Sequence, residues 1–337
     1  MKTLVLKENY ESIATNLIKN GEIIVVPTET VYGLAGDALN KNSAKKIYSL
    51  KGRPQDNPLI VHISEINEIY RLVCDITTEQ LNFLEHFWPG PLTVILKKSN
   101  IVPIETTGGL ETVAIRMPNN NIIREIIKCT NTPLAAPSAN LSGKPSPTRV
   151  EHVLEDFDNK IPLVIDGGQC ELGIESTIID LTSSVPRILR PGVITLEEIK
   201  KYLPNVEYGG FCEEDNLPIA PGMKYKHYAP EGKAYLICGD NKSEYILNEI
   251  KSKIDKKIAV ISFSENISKY ENQTVLLFDM GSKLNPIEVS RKIFHLLRKC
   301  DEYNVEYIYI EFENESGIFV AIKNRLIKAT SHNLINT

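Results

Sequence analysis

Short apolar runs recur through the first two hundred residues. EIIVV (22–26), LIVHI (59–63), LTVIL (92–96), TVAIRM (112–117), PLVID (162–166) and STIIDL (176–181) each predict a strand. Between them, apolar positions fall at helical spacing: Ala44, Ile47 and Tyr48; Leu81 and Leu84 through Trp88; Ile122, Ile123, Ile126 and Ile127. Some strands follow one another with no helix between, which predicts a mixed sheet rather than a purely parallel one. From residue 233 the pattern changes to a stricter β–α alternation. AYLIC, KIAVISF, VLLF and EYIYIEF read as strands. Val289, Ile293, Leu296, Leu297 and Cys300 mark one amphipathic helix; Ile318, Ala321, Ile322, Leu326 and Ala329 mark another. This predicts a smaller, open Rossmann-like α/β domain. Residues 203–232 hold four prolines and four glycines with no clear period. The expected organisation is therefore a first α/β domain at 1–202, a linker at 203–232 and a second domain at 233–337. A stretch this long without regular structure is either disordered or functional.

At 337 residues the chain can bury two cores. A net charge of −5 supplies no overall basic field, so any contact with RNA has to be local. The longest apolar runs are too short to cross a bilayer, and MKTLVLKENYES lacks the apolar centre of a signal peptide. The expectation is a cytoplasmic protein with no membrane contact. Cys74, Cys129, Cys170, Cys212, Cys238 and Cys300 form no C-x-x-C pair and read as buried free thiols. The six histidines show no ligand spacing, which argues against structural zinc.

Candidate chemistry concentrates in a few segments. PLAAPSANLSGKPSPT (133–148) passes from an apolar strand end into small polar residues, Ser138, Asn140, Ser142 and Ser146, stiffened by prolines and carrying Lys144. Such a loop can come close to a polyanion and offer it many donors. No G-x-x-x-x-G-K-[ST] and no G-x-G-x-x-G occurs, so a bound phosphate chain would rest on side chains and on this loop. PTETVYGLAGDA (27–38) places Thr28 and Thr30 at a strand end, with Gly33 and Gly36 able to pass close to a neighbour. SLKGRPQDNPLIVHI (49–63) sets Lys51 and Arg53 just past a helix, then Asn57, then His62 in an apolar strand. Forked Arg and point-charge Lys suit phosphate oxygens. ETVAIRMP (111–118) carries Arg116 in a strand expected to be buried, where it needs an anionic partner, either an internal Asp/Glu or a bound carboxylate. GIESTIIDL and RILRPG add Ser176 and Arg190. Alone, each has a plainer reading: a proline-rich turn, capping threonines, a cation at a helix C-terminus, a satisfied core histidine. Together they form an inventory of cations and hydroxyls with no nucleophile–base pair. That suits phosphoryl or nucleotidyl transfer, driven by positioning and charge neutralisation.

The set PTETVYGLAGDA, KGRPQDNPLIVHI, WPGPLTVIL, VAIRMP, PLAAPSANLSGKPSPT, GIESTIIDL and ILRPG resembles, in order, the YrdC-type threonylcarbamoyl-AMP synthases. The linker motif APGMKYKHYAP and the helix GIFVAIKNRLIKA resemble the longer, two-domain form. The resemblance implies a YrdC-like twisted mixed-sheet domain before the Rossmann-like one. It also implies a reaction: L-threonine, bicarbonate (or CO2) and ATP, with Mg2+, give threonylcarbamoyl-AMP and pyrophosphate. A downstream threonylcarbamoyl transferase complex then modifies tRNA. Carried onto this chain, Thr30, His62, Arg116, Ala136 and Ser176 surround threonine. Lys51, Arg53, Asn57, Thr112, Ser138, Asn140, Ser146 and Arg190 hold ATP, with Lys51 and Arg53 as the catalytic cations. Mg2+ is held mainly by the ATP phosphates. Tyr228 folds over the nucleotide, making the linker a lid. Ile318 and Phe319 partly replace the glycines usual near the start of the last helix. Two other readings compete. A non-catalytic RNA-binding module on the same basic face is disfavoured by the acidic charge and the lack of an RNP-like motif, although a weak contact with tRNA stays open. A carbamoyl-transferring maturation factor would bring acylphosphatase and Cys-rich zinc segments, which do not occur here.

Overall fold

The computed structural model describes residues 2–209, 227–313 and 315–337. The chain forms two compact units. The first runs through Met1–Ser142, Ser146–Glu171 and Glu175–Tyr225; the second gathers Gly143–Pro145 and Leu172–Ile174 with Lys226–Thr337.

Among the described residues the first unit is built on one twisted, mixed sheet of eleven strands. They are β1 (Leu4–Leu6), β2 (Ile24–Val26), β3 (Gly33–Asp37), β4 (Ile60–His62), β5 (Leu92–Lys97), β6 (Thr112–Arg116), β7 (Leu134–Ala135), β8 (Leu163–Ile165), β9 (Thr177–Asp180), β10 (Arg187–Arg190) and β11 (Glu207–Tyr208). Their spatial order is β1-β8-β2-β3-β7-β4-β6-β5-β9-β10-β11. The helices start where local chemistry allows. The Asn120 side chain accepts from the Ile122 and Ile123 N–H groups and opens the helix Asn121–Thr130, whose Ile123, Ile126 and Ile127 are buried. Thr77 and Gln80 cap each other at the start of Thr78–Phe87.

Residues 33–37, read from the sequence as part of a turn, are strand β3. Its glycines hide it from a periodicity reading, and packing explains them. A Cβ on Gly36 would stand 2.5 Å from Ile23 Cδ1, and one on Gly33 would stand 3.1 Å from Ala136 Cβ. Lys51 is the last residue of the helix Lys41–Lys51 rather than lying beyond it, and Gly52 closes that helix in the left-handed region.

The second unit carries five parallel strands among its described residues: β12 (Lys233–Cys238), β13 (Ile258–Ser262), β14 (Leu276–Asp279), β15 (Tyr307–Glu311) and β16 (Leu334–Asn336). Their order is β14-β13-β15-β12-β16, a Rossmann-like open sheet. The helix Pro286–Glu302 begins with Asn285 as cap and proline in its first turn, and buries Val289, Ile293, Leu296, Leu297 and Cys300. The free thiols divide: Cys170, Cys238 and Cys300 are buried, whereas Cys74 and Cys129, expected inside, are exposed. Cys212 lies outside the described residues.

Candidate active site

Residues paired across a ladder share a face of the sheet. Ile60 pairs with Ala114, and His62 with Arg116. On the next strand Thr93, Ile95 and Lys97 oppose Arg116, Ala114 and Thr112, and Thr93 also opposes Ile178. One face therefore presents His62, Thr93, Thr112 and Arg116 around an apolar floor of Ile60, Ile95, Ala114, Ile178 and Leu189. The alternate residues Val61, Leu92, Val94, Val113, Ile115 and Ile179 point the other way, into the main core. Ala136 adjoins the same face, its N–H donating to the Ile60 carbonyl.

Arg116 is the centre of this face and is almost fully buried. Its Nε donates to the Gly90 carbonyl at 3.2 Å, and its Nη1 to Thr30 Oγ1 at 2.8 Å. Its anionic partner is internal: Nη2 lies 2.6 Å from Glu29 Oε2. The other Glu29 oxygen accepts from the Asn119 N–H at 3.0 Å. Thr28 Oγ1 lies 2.8 Å from Thr30 Oγ1 and accepts the N–H groups of Thr30 and Val31, so the PTET turn is fixed over Arg116. On the other side Ser176 Oγ lies 2.7 Å from Thr93 Oγ1. Arg190 grips the same serine, Nε to its carbonyl at 3.0 Å and Nη2 to its hydroxyl at 3.1 Å.

The Ser/Pro loop is pinned by Lys51. Its Nζ donates to the Ser138 carbonyl at 2.5 Å and the Asn140 carbonyl at 2.7 Å. The Lys51 carbonyl in turn accepts the Ser142 N–H. Gly33 bridges to Ser138, tying the loop to β3. Asn140 Nδ2 donates to the Leu141 carbonyl. Ser146, fully buried, donates to Glu175 Oε1 at 2.6 Å, next to Ser176. Arg53 is folded back on its own turn, with Nη2 reaching Asn57 Oδ1 at 2.6 Å and the Pro58 carbonyl at 2.9 Å. The first unit thus links Lys51 to Ser138 and Asn140, Arg53 to Asn57, Arg116 to Thr30, and Arg190 to Ser176, while Thr112 sits at the start of β6 on the same face. Lys144 and Tyr228 belong to the second unit. There the Tyr228 ring is buried and stacks on Phe294 at 4.9 Å, with φ of +63°. Of the expected linker and lid at 203–232, residues 210–226 lie outside the described residues.

The His62 ring is buried on this face. Its Nδ1 is buried with no hydrogen-bond partner among the described residues. Burial, then the Arg116 charge beside it, push its pKa down from 6.5 to about 3. The imidazole is neutral at physiological pH and can accept a hydrogen bond from a ligand. Below pH 6.5 the unfolded chain takes up a proton that the native ring refuses until about pH 3. His62 therefore costs nothing above pH 6.5 and destabilises the native state progressively as pH falls through that window. Urea denaturation of His62→Gln across pH 4–7 should give a shallower acid loss than the parent; parallel curves would contradict this.

Three participants escape a sequence reading. Glu29 was visible in PTET beside the two threonines, and only the fold reveals its pairing with a strand 87 residues on. Glu175 adjoins Ser176 and is likewise hidden until Ser146 meets it. Thr93 had a usable signal, as the one hydroxyl in the apolar run LTVIL.

Comparison with known proteins gives a consistent picture. The family described as "Telomere recombination" (Sua5, YciO and YrdC) matches residues 16–192. That described as "Threonylcarbamoyl-AMP synthase, C-terminal domain" matches 194–331. A threonylcarbamoyl-AMP synthase of Pyrococcus abyssi is 42% identical over 330 residues, covering 96% of this chain and 94% of its own. One of Bacillus subtilis is 38% identical over 325 residues, covering 96% and 93%. The crystal structure of P. abyssi Sua5 complexed with L-threonine superposes with a TM-score of 0.93 at 39% identity, covering all of both chains.

Proposed function

The chain belongs to the Sua5/YrdC family of threonylcarbamoyl-AMP synthases, and from that membership and the polar sheet face we propose how it makes its product. It is an enzyme of tRNA modification that uses L-threonine to form threonylcarbamoyl-AMP. Bicarbonate supplies CO2, and the threonine amine attacks its carbon and loses a proton to give a carbamate. A carbamate oxygen then attacks the α-phosphorus of ATP. The bond to the bridging oxygen breaks and pyrophosphate leaves, a nucleotidyl transfer.

The observation that carries this reading is the convergence of Arg116, neutral His62 and the Thr93–Ser176 pair on one face. Threonine is seated there, its carboxylate on the N–H groups that Arg116 keeps in reserve, its side chain among Thr30, His62, Ala136 and Ser176. ATP runs along the Ser138–Ser146 loop. Lys51 and Arg53 supply charge to its phosphates, Asn57, Thr112, Ser138, Asn140 and Ser146 orient it, and Arg190 completes the set. Exclusion of water from the site would protect the mixed anhydride from hydrolysis. A Mg2+ ion would arrive on the ATP phosphates, whose oxygens would hold most of it. Such an ion would neutralise phosphate charge. The product passes to a transferase complex that modifies tRNA.

Incubation with Mg2+–ATP, bicarbonate and labelled threonine should release pyrophosphate in a threonine-dependent manner and yield a labelled adenylate. Release that ignores threonine would defeat the reading.

A further inference from the structure

Glu29 is ion-paired with Arg116, the residue read as the carboxylate contact for threonine. It is 3% exposed, its Oε2 lies 2.6 Å from Arg116 Nη2, and its Oε1 is held by the Asn119 N–H. One oxygen is held by a backbone N–H and the other faces the Arg116 guanidinium at ion-pair distance, so the carboxylate stands beside the group that a ligand carboxylate would meet. Arg116 is similarly fixed by Gly90 and Thr30. The guanidinium still has N–H groups on Nη1 and Nη2 beyond the bonds just described.

The buried Arg116–Glu29 pair is neutral as a unit. A ligand carboxylate docking on Arg116 therefore adds a negative charge that this pair does not compensate, on a desolvated face. His62 cannot answer it, because its ring stays neutral. A ligand that brings its own cation restores the balance. We propose that Glu29 is a specificity-determining residue that makes this face accept a zwitterionic α-amino acid and refuse a carboxylic acid of the same shape without the amine. Discrimination of this kind works by placing a charge against the wrong ligand. The inference rests on the reading of Arg116 as the carboxylate contact for threonine.

The test compares L-threonine with 3-hydroxybutanoate, which is threonine without its amine, by calorimetric titration of the full chain. The parent protein should bind threonine and bind 3-hydroxybutanoate at least about tenfold more weakly. In Glu29→Gln, which keeps the shape and removes the charge, that preference should shrink by about tenfold or more, with 3-hydroxybutanoate gaining affinity outright. Glu29→Asp, which keeps the charge, should retain the preference even where it weakens both ligands. A carboxylate that served packing alone would weaken both ligands equally in Glu29→Gln, and that result would overturn the proposal. So would a parent protein that takes both ligands alike, a measurement that needs no variant to fold. If the parent binds neither, the reading of the face as a threonine site fails instead.

Discussion

Arg116→Ala should lose threonine-dependent pyrophosphate release and much of the stability of the first unit together. The side chain is buried against an equally buried Glu29. Removing one member of such a pair leaves the other charge without compensation and costs about 3–5 kcal/mol. In a unit of this size each kcal/mol moves the melting temperature by about 2–4 °C, so the shift is large enough to read by calorimetry. The informative companion is the double variant Arg116→Met with Glu29→Leu. It removes both charges and keeps apolar bulk, a replacement that is often neutral or stabilising for a buried pair. Stability should return and activity should not. If the double variant melts as low as Arg116→Ala, the cost comes from packing and the ion pair is not the cause. If Arg116→Ala keeps its activity, Arg116 is not the threonine contact.

Lys51→Met is expected to be the most damaging change for ATP use. Lys51 is buried and its ammonium holds the Ser138 and Asn140 carbonyls, so it both shapes the nucleotide loop and supplies charge to it. Removal of one such group in a preorganised site lowers turnover by about 10²–10³-fold. Lys51→Arg should not rescue it, because a planar fork does not fit between two carbonyls arranged around a point donor. Steady-state pyrophosphate release with ATP varied should show the loss. Turnover within a few-fold of the parent would remove Lys51 from the mechanism.

Much of the site was legible as segments because its residues cluster in short motifs with unusual composition. A proline-locked serine loop and an arginine inside an apolar strand violate ordinary burial rules, and such violations point to function. The mixed sheet and the Rossmann-like second unit followed from strand length and alternation. Three things lay beyond reach for definable reasons. β3 is written in glycines, which carry no hydrophobic period. The partner of Arg116 could be required from the cost of burial but not chosen, since Glu29 and a bound carboxylate satisfy the same electrostatic demand. The surroundings of the His62 ring were hidden because they depend on the neighbouring strands, here β6 and β7.

β6 has two sides with different duties. Val113 and Ile115 lock into the interior while Ala114 and Arg116 look out from the opposite surface. The tight interdigitation behind the strand thus sets the tolerance to which the reactive groups in front of it are held. A clumsy repacking at Ile115, a residue no substrate ever meets, would reach the chemistry as misalignment, much as a worn bearing shows up at the far end of a shaft.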